Sequence, residues 1–200
     1  MSLPVFPVDT LPTSLSFKLV PHSGFAQSPN RMVEVWRKPS AYWTFDGYWS
    51  GVRYAKARIL NNFIDALEGS YGEFLMWDST HKQLGNWGPT ITVRSNNQTG
   101  QMLEIQGATP NSLIAPAGDR FQLDNYLYKL KVDAIADSFG HCDLLFSPQL
   151  MQIPVVGAPL ITTNPMCKMM LKDDNQGPGF SNRSLVVTDF NIAGFMSMRS

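Results

Sequence analysis

Charge is what this sequence has least of. Only 16% of its 200 residues are Asp, Glu, Lys or Arg, against roughly 25% in ordinary globular domains. Sixteen basic residues cancel sixteen acidic ones, with nine against seven up to Gly100 and seven against nine beyond it. The basic footprint of a nucleic-acid binder is therefore missing. Cysteine is scarce too. Cys142 and Cys167 stand far apart, which excludes a disulfide framework and a Cys-x-x-Cys zinc site and predicts two free, mostly buried thiols in a reducing cytoplasm. No apolar run approaches the ~18 residues of a membrane helix, because the best stretch, Ile153–Ile161, contains Pro154, Gly157 and Pro159. The segment Met1-Ser2-Leu3-Pro4-Val5-Phe6-Pro7 has neither the basic n-region nor the apolar stretch of a signal peptide. On that expectation the sequons at Asn97 and Asn182 carry no glycosylation message.

Catalytic constellations are equally thin. Ser50 lies between Gly47 and Gly51, but the spacing is not that of a G-x-S-x-G nucleophile elbow, and a helix-capping serine is expected instead. His141-Cys142-Asp143 brings three reactive residue types together. On a strand, however, successive side chains point to opposite faces, so His141 cannot activate Cys142. His22 and His81 have no second ligand at metal spacing. Asp119, Asp124, Asp133 and Asp137 do not follow the twelve-residue calcium loop and read as turn residues. Met166, Met169 and Met170 around Cys167 could suggest a soft-metal cluster, but without a paired Met-x-x-Met repeat they read as core filling or an adaptable contact surface. No metal, no cofactor and no enzymatic activity are expected.

What the sequence does contain is apolar and aromatic. Hydrophobic residues make up 44%, aromatics 12%, and there are ten methionines. Protein interfaces are enriched in aromatics and Met and depleted in Lys, Glu and Asp, so the balance is that of a subunit. Trp36, Tyr42, Trp43, Phe45, Tyr48 and Trp49 are concentrated in one stretch. They suit a core edge or subunit interface, with a sugar-stacking platform as the alternative.

The expected fold class is α+β, mainly β: an antiparallel β-sandwich or small barrel with one amphipathic helix, about 52–68, packed on it. The helix is read from Val52, Ala55, Ile59, Phe63 and Ala66/Leu67, with Ser50 as N-cap and Gly69 just past the end. Period-two alternation marks strands at Leu15–Val20 and Met32–Trp36, and flanking turns mark further ones at Glu73–Trp77, Thr90–Arg94, Met102–Gln106, Phe121–Leu123, Tyr126–Asp133 and Cys142–Phe146. A long-loop hairpin is expected across Ser95–Gly100 and a tight one at Asp124-Asn125. Residues 1–14 read as an extended arm, 15–160 as the β-rich core domain, and 161–200 as an irregular segment with a possible last strand at Ser184–Thr188.

Several short motifs occur in a telling order: Arg53, Phe63 and Ala66-Leu67-x-Gly69; Gly72-x-Phe-Leu-x-Trp77-Asp78; Thr99-Gly100-x-x-Leu103-x-x-x-Gly107; Ala117-Gly118-Asp119-x-Phe121; Leu130-x-x-Asp133-x-x-x-Asp137-x-x-Gly140; Pro148-x-Leu150; and Pro154-x-x-Gly157. Over residues 15 to 160 this order resembles a family of distal tail or minor tail structural proteins of long-tailed bacteriophages. Met151 stands where that family usually carries Arg. The motif residues read as scaffold: Arg53, Phe63, Gly69, Trp77, Asp78, Gly118, Asp119 and Gly140 pack or turn the chain. The resemblance implies a virion component at the tail tip, made in the host cytoplasm, that forms a homo-oligomeric ring, commonly a hexamer. Its implied partners are the tail tube protein, the tape measure protein, the hub or baseplate and the fibres. The alternative is a carbohydrate-binding β-sandwich module on the tail, using Trp36, Tyr42, Trp43, Tyr48 and Trp49. A cell-wall hydrolase would need an acid pair or thiol nucleophile that the sequence does not offer.

Overall fold

The computed structural model describes residues 3–27, 29–30, 32–37, 41–88, 90–180, 186–187 and 189–199. In chain order its elements are β1 (Ser14–Val20), β2 (Ser23–Gln27), β3 (Val33–Arg37), β4 (Tyr42–Trp49), β5 (Val52–Arg53), helix α1 (Tyr54–Ala66), β6 (Glu73–Trp77), β7 (Thr92–Val93) and β8 (Met102–Gln106). They continue as β9 (Leu113–Ala115), β10 (Arg120–Leu123), β11 (Tyr126–Leu130), β12 (Ala134–Ile135), β13 (Cys142–Ser147), β14 (Met166–Leu171), β15 (Val186–Val187) and β16 (Phe190–Met196). The class is α+β, mainly β, with antiparallel sheets and a single α-helix among the described residues. The chain divides into two compact units: Met1–Lys18, Trp43–Lys82 and Asn164–Ser200 form one, and Leu19–Tyr42 with Gln83–Thr163 the other. The single core domain expected over 15–160 is thus split. The segment 161–200, expected to be irregular, supplies central strands of the first unit.

In the first unit the sheet runs β1-β4-β16-β14-β6. Its register pairs Met166 with Trp77 and Phe195 with Thr44. Helix α1 packs on this sheet through Phe63, whose ring meets Phe74 of β6 at 5.6 Å and Phe6 of the N-terminal segment at 5.5 Å. That segment is not a free arm: Phe6 is buried, and Val5 bridges to Leu75 beside β6. The helix also corrects the expected face and start. Ala57, Leu60, Ile64 and Leu67 are buried, while Ala55, Ile59 and Ala66 are exposed. Both sets satisfy the i, i+3, i+4 rhythm, and they lie about a third of a turn apart around the axis. Phe63 stands at their seam, half-buried. The helix begins at Tyr54 because Val52 and Arg53 are paired in β5 with Val187 and Val186. Arg53, and not Ser50, occupies the N-cap, with no side-chain capping bond. At the other end Glu68 and Gly69 both adopt left-handed backbone, at φ 53 and 70. Glycine at 69 serves the positive φ, and a Cβ there would press on the movable Asp174 carboxylate at 2.7 Å.

The second unit is built on a sheet ordered β10-β11-β13-β8-β7, with β12-β9 and β2-β3 as two-stranded sheets. The tight hairpin falls where the sequence puts it: Leu123 faces Tyr126, and Asp124 takes φ 55 between them. Aromatic packing fixes the core. Phe121 stacks on Tyr128 at 5.3 Å, and Phe146 meets both rings edge-on. Asp119 is buried at the turn before β10, where its carboxylate accepts the N–H groups of Leu84 and Gly85. Gln83 adds a second clamp on that loop, because its side chain accepts from Arg120 N and donates to the Arg120 and Thr162 carbonyls.

Candidate functional site

Strand β4 places the aromatic stretch in two environments. Trp43 and Trp49 are 1% and 2% exposed, and Phe45 is buried with them. Trp43 packs on Phe17 at 5.4 Å; Trp49 donates its indole N–H to the Thr10 carbonyl at 2.7 Å and stacks on Phe190. These rings are core and offer no face to a sugar, which corrects the glycan-facing expectation for Trp43 and Trp49. Tyr42 is half-buried and Tyr48 exposed. The Tyr48 hydroxyl donates to Asp189 at 2.5 Å; that bond pushes the phenol above its ordinary value and holds the Asp189 carboxyl below its own. Trp36 lies on β3, and its side chain falls outside the described residues.

The exposed apolar residues are elsewhere, on surfaces the sequence reading did not single out. Strands β2 and β3 form a two-stranded ribbon in which Gly24 pairs with Trp36 and Gln27 with Val33. On it Met32 and Val35 are each 70% exposed, and Val33 is exposed beside them. On the second unit, Leu113 of β9 faces Ile135 of β12 across the ladder, and both are exposed. The same holds for Met102 of β8 and Leu145 of β13. Single exposed apolar side chains are ordinary, whereas cross-strand pairs of them make a patch. Phe139 is 79% exposed at a turn and stacks on His141; Leu84 is 80% exposed on the loop that Asp119 and Gln83 clamp. Apolar residues on firmly held loops and strands lose little entropy when covered, which is what an interaction surface requires. The one available sequence signal was the Met32–Trp36 alternation, which marks a strand with one apolar face and leaves open what covers it.

The polar residues that the sequence sets side by side are held apart or serve turns. Cys142 is buried, and desolvation pushes its thiol up, away from the thiolate a nucleophile needs. The His141 imidazole lies 3.5 Å from Asp137 and not against Cys142. Asp137 serves its own turn: its Oδ1 accepts the backbone N–H groups of Phe139 and His141, which hold the carboxyl below its ordinary value. Asp133 accepts Ala117 N–H across the Gly118 turn, and Asp78 Oδ1 accepts from Thr80 N and Oγ1. Gly118 and Gly140 take φ 100 and 77; a Cβ at Gly140 would run into the Ala108 carbonyl oxygen. Arg53, Phe63, Gly69, Trp77, Asp78, Gly118, Asp119 and Gly140 are therefore dispersed over caps, ladders and turns. Cys167 and Met169 are fully buried on β14, whose neighbour is β6. Among the described residues no three metal-ligating side chains come together. No helix among them is long and apolar enough to cross a membrane.

No family model matches the chain, and no curated protein matches it.

Proposed function

We propose that the chain is a structural protein of the tail tip of a long-tailed bacteriophage, a distal tail or minor tail protein. It assembles into a homo-oligomeric ring, a hexamer, that connects the tail tube and tape measure protein to the hub, baseplate and fibres. The observation that carries this reading is the β2–β3 ribbon, with Met32, Val33 and Val35 turned to solvent. Such a ribbon exposes apolar side chains and unpaired strand edges, and a monomer that must stay soluble avoids both. In a ring each copy offers one surface to the neighbour ahead and a different one to the neighbour behind. The ribbon, and the exposed cross-strand pairs Leu113–Ile135 and Met102–Leu145 on other strands, supply unlike apolar surfaces for that purpose. Low overall charge and the ordered scaffold motifs from Arg53 to Gly157 support the same reading.

Native mass spectrometry of the purified chain and electron microscopy of virions test it. The expected result is a closed oligomer that dissociates in the double variant Val33→Asp/Val35→Asp, with the far-ultraviolet circular dichroism of the chain unchanged. A strictly monomeric wild-type protein that is absent from the particle would overturn it. The carbohydrate-module alternative loses its support from Trp43 and Trp49, both of which are buried.

A further inference from the structure

The first unit contains a polar cleft of about 470 Å³, within the range of about 300–1,000 Å³ usual for small-ligand sites. It lies between the C-terminal half of α1, the Gly69 turn and the loop 174–179. Ile64 and Pro178 are its buried apolar walls, and the polar side-chain walls are Asn61, Asp65, Asp174, Asn175 and Gln176. The chain itself orients these groups. Asn61 Nδ2 donates to Asp65 Oδ2 at 2.6 Å; Ser70 N and Oγ donate to Asp174 Oδ1 at 2.8 and 2.6 Å; Gln176 accepts Ala193 N–H at 2.5 Å and donates to the Asp173 carbonyl. What remains is mostly acceptor: Asp65 Oδ1, Asp174 Oδ2 and Asn61 Oδ1, with the Asn175 carboxamide able to donate and accept.

An acceptor-rich cleft needs a ligand rich in donors. With two carboxylates and no basic lining residue, it repels phosphates and acidic ligands. A metal ion would lack a third ligating carboxylate, imidazole or thiolate. Hydroxyl groups fit, because an O–H donated to a carboxylate makes a strong charge-assisted bond and the same oxygen can accept from an amide. Exposed aromatics continue from the lining residues. Tyr71, 75% exposed, follows Ser70, the partner of Asp174, and carries the Arg199 guanidinium over one face at 5.7 Å; Phe180 follows Gly179, with its ring edge-on to Tyr54 at 5.4 Å. Aromatic surface beside a carboxylate and carboxamide cluster is the combination that binds the apolar face and hydroxyl edge of a pyranose. We infer that this cleft is a binding site for an uncharged sugar. The inference stands independently of the ring assembly.

Nuclear magnetic resonance titration of the ¹⁵N-labelled chain with glucose, galactose and N-acetylglucosamine tests it, with galacturonate and calcium chloride as controls. At least one neutral sugar should give saturable shifts centred on Asn61, Asp65, Ser70 and Asn175. Galacturonate should give none. Affinity should fall about tenfold in Asp65→Ala and in Asn175→Ala, the loss expected for one charge-assisted or carboxamide bond. Neither variant removes a backbone cap, so each should keep the wild-type spectrum elsewhere. The inference is overturned if no neutral sugar saturates, if both variants bind as wild type does, or if calcium alone reproduces the shifts. The oligomeric state of the same samples, measured by native mass spectrometry, reports separately on the assembly reading.

Discussion

Strands β3 and β4 are neighbours in the chain and alike in composition, yet their apolar side chains end in opposite environments. On β4 every second residue is buried: Trp43 packs on Phe17, Phe45 on Phe74, and Trp49 on Phe6 and Phe190, with its indole N–H on the Thr10 carbonyl. On β3 Val33 and Val35 recur with the same period two and stand in solvent, because β3 pairs with β2 and takes no further strand among the described residues. Period two specifies a strand with one apolar face. What covers that face is decided by other parts of the chain, or by another chain. Among the described residues Val33 and Val35 are left exposed, and that is the physical content of the assembly proposal.

The largest expected effect comes from opposing the two faces directly. Trp43→Ala should destabilise the isolated chain by about 3–5 kcal/mol, the usual cost of deleting a large buried aromatic side chain. Val35→Ala should change it by less than about 0.5 kcal/mol, because its face meets water in the single chain. Urea unfolding of both variants under dissociating conditions reads the difference. A Val35→Ala cost close to that of Trp43→Ala would mean that the ribbon is covered without a partner, and the comparison would fail.

A second pair concerns carboxylates that do the same job in and out of solvent. Asp119 and Asp137 each accept two backbone N–H groups. Asp119 is buried and clamps the loop carrying Leu84, whereas the Asp137 side chain is half exposed. Asp119→Ala strands two donors away from water and should cost about 1–3 kcal/mol in urea unfolding. Asp137→Ala leaves its donors to water and should cost clearly less. Equal losses would show that the Leu84 loop is already solvated and not firmly held.

Glycines give a third pair. Gly100 and Gly140 both take positive φ, at 80 and 77, but nothing lies within 4 Å of a Cβ built on Gly100, while Gly140 would meet the Ala108 carbonyl. Gly100→Ala should cost about 1 kcal/mol from backbone strain alone. Gly140→Ala should cost about 2–3 kcal/mol, since the neighbouring backbone must also move. Thermal unfolding distinguishes them, and similar losses would leave φ as the whole explanation.

How much of this was legible in the sequence follows the same division between pattern and cover. The β10–β11 hairpin could be read because Asp124-Asn125, the period-two flanks and the pairing of Leu123 with Tyr126 are all local. Strand β6 was legible to the residue for the same reason. Strand β14 was missed: Met166–Leu171 reads as a methionine cluster because Lys168 and Pro165 blur its alternation, and its neighbour β6 lies about ninety residues earlier in the chain. The helix face was misread because Ile59 and Leu60 give two stripes of equal quality, and only the tertiary fold, which buries Ala57, Leu60, Ile64 and Leu67, decides between them. The sugar cleft had almost no signal. Ser70 and Asp174 are 104 residues apart, and the Gly177-Pro178-Gly179 turn shows only that a loop exists. Uncovered ribbons and clefts between distant segments are products of long-range register, which a one-dimensional period does not encode.

The smallest effect is the pH dependence of the exposed carboxylate. Backbone N–H groups of His141 and Phe139 favour the charged form of Asp137, so its folded-state pKa lies below the unfolded one. A depressed carboxylate pKa contributes stability above the unfolded value, near pH 4, and that contribution disappears as pH falls through the lowered folded value. The turn carrying Phe139 should therefore loosen as pH falls through that value. Asp137→Asn keeps an oxygen acceptor but no charge. Its urea midpoint should fall less steeply than that of the wild type between about pH 5 and about pH 2. Hydrogen exchange at the His141 amide should show the same flattening locally. If variant and wild type decline in parallel, the two N–H bonds do not hold the charge, and Phe139 is presented by a turn that is not fixed by its carboxylate.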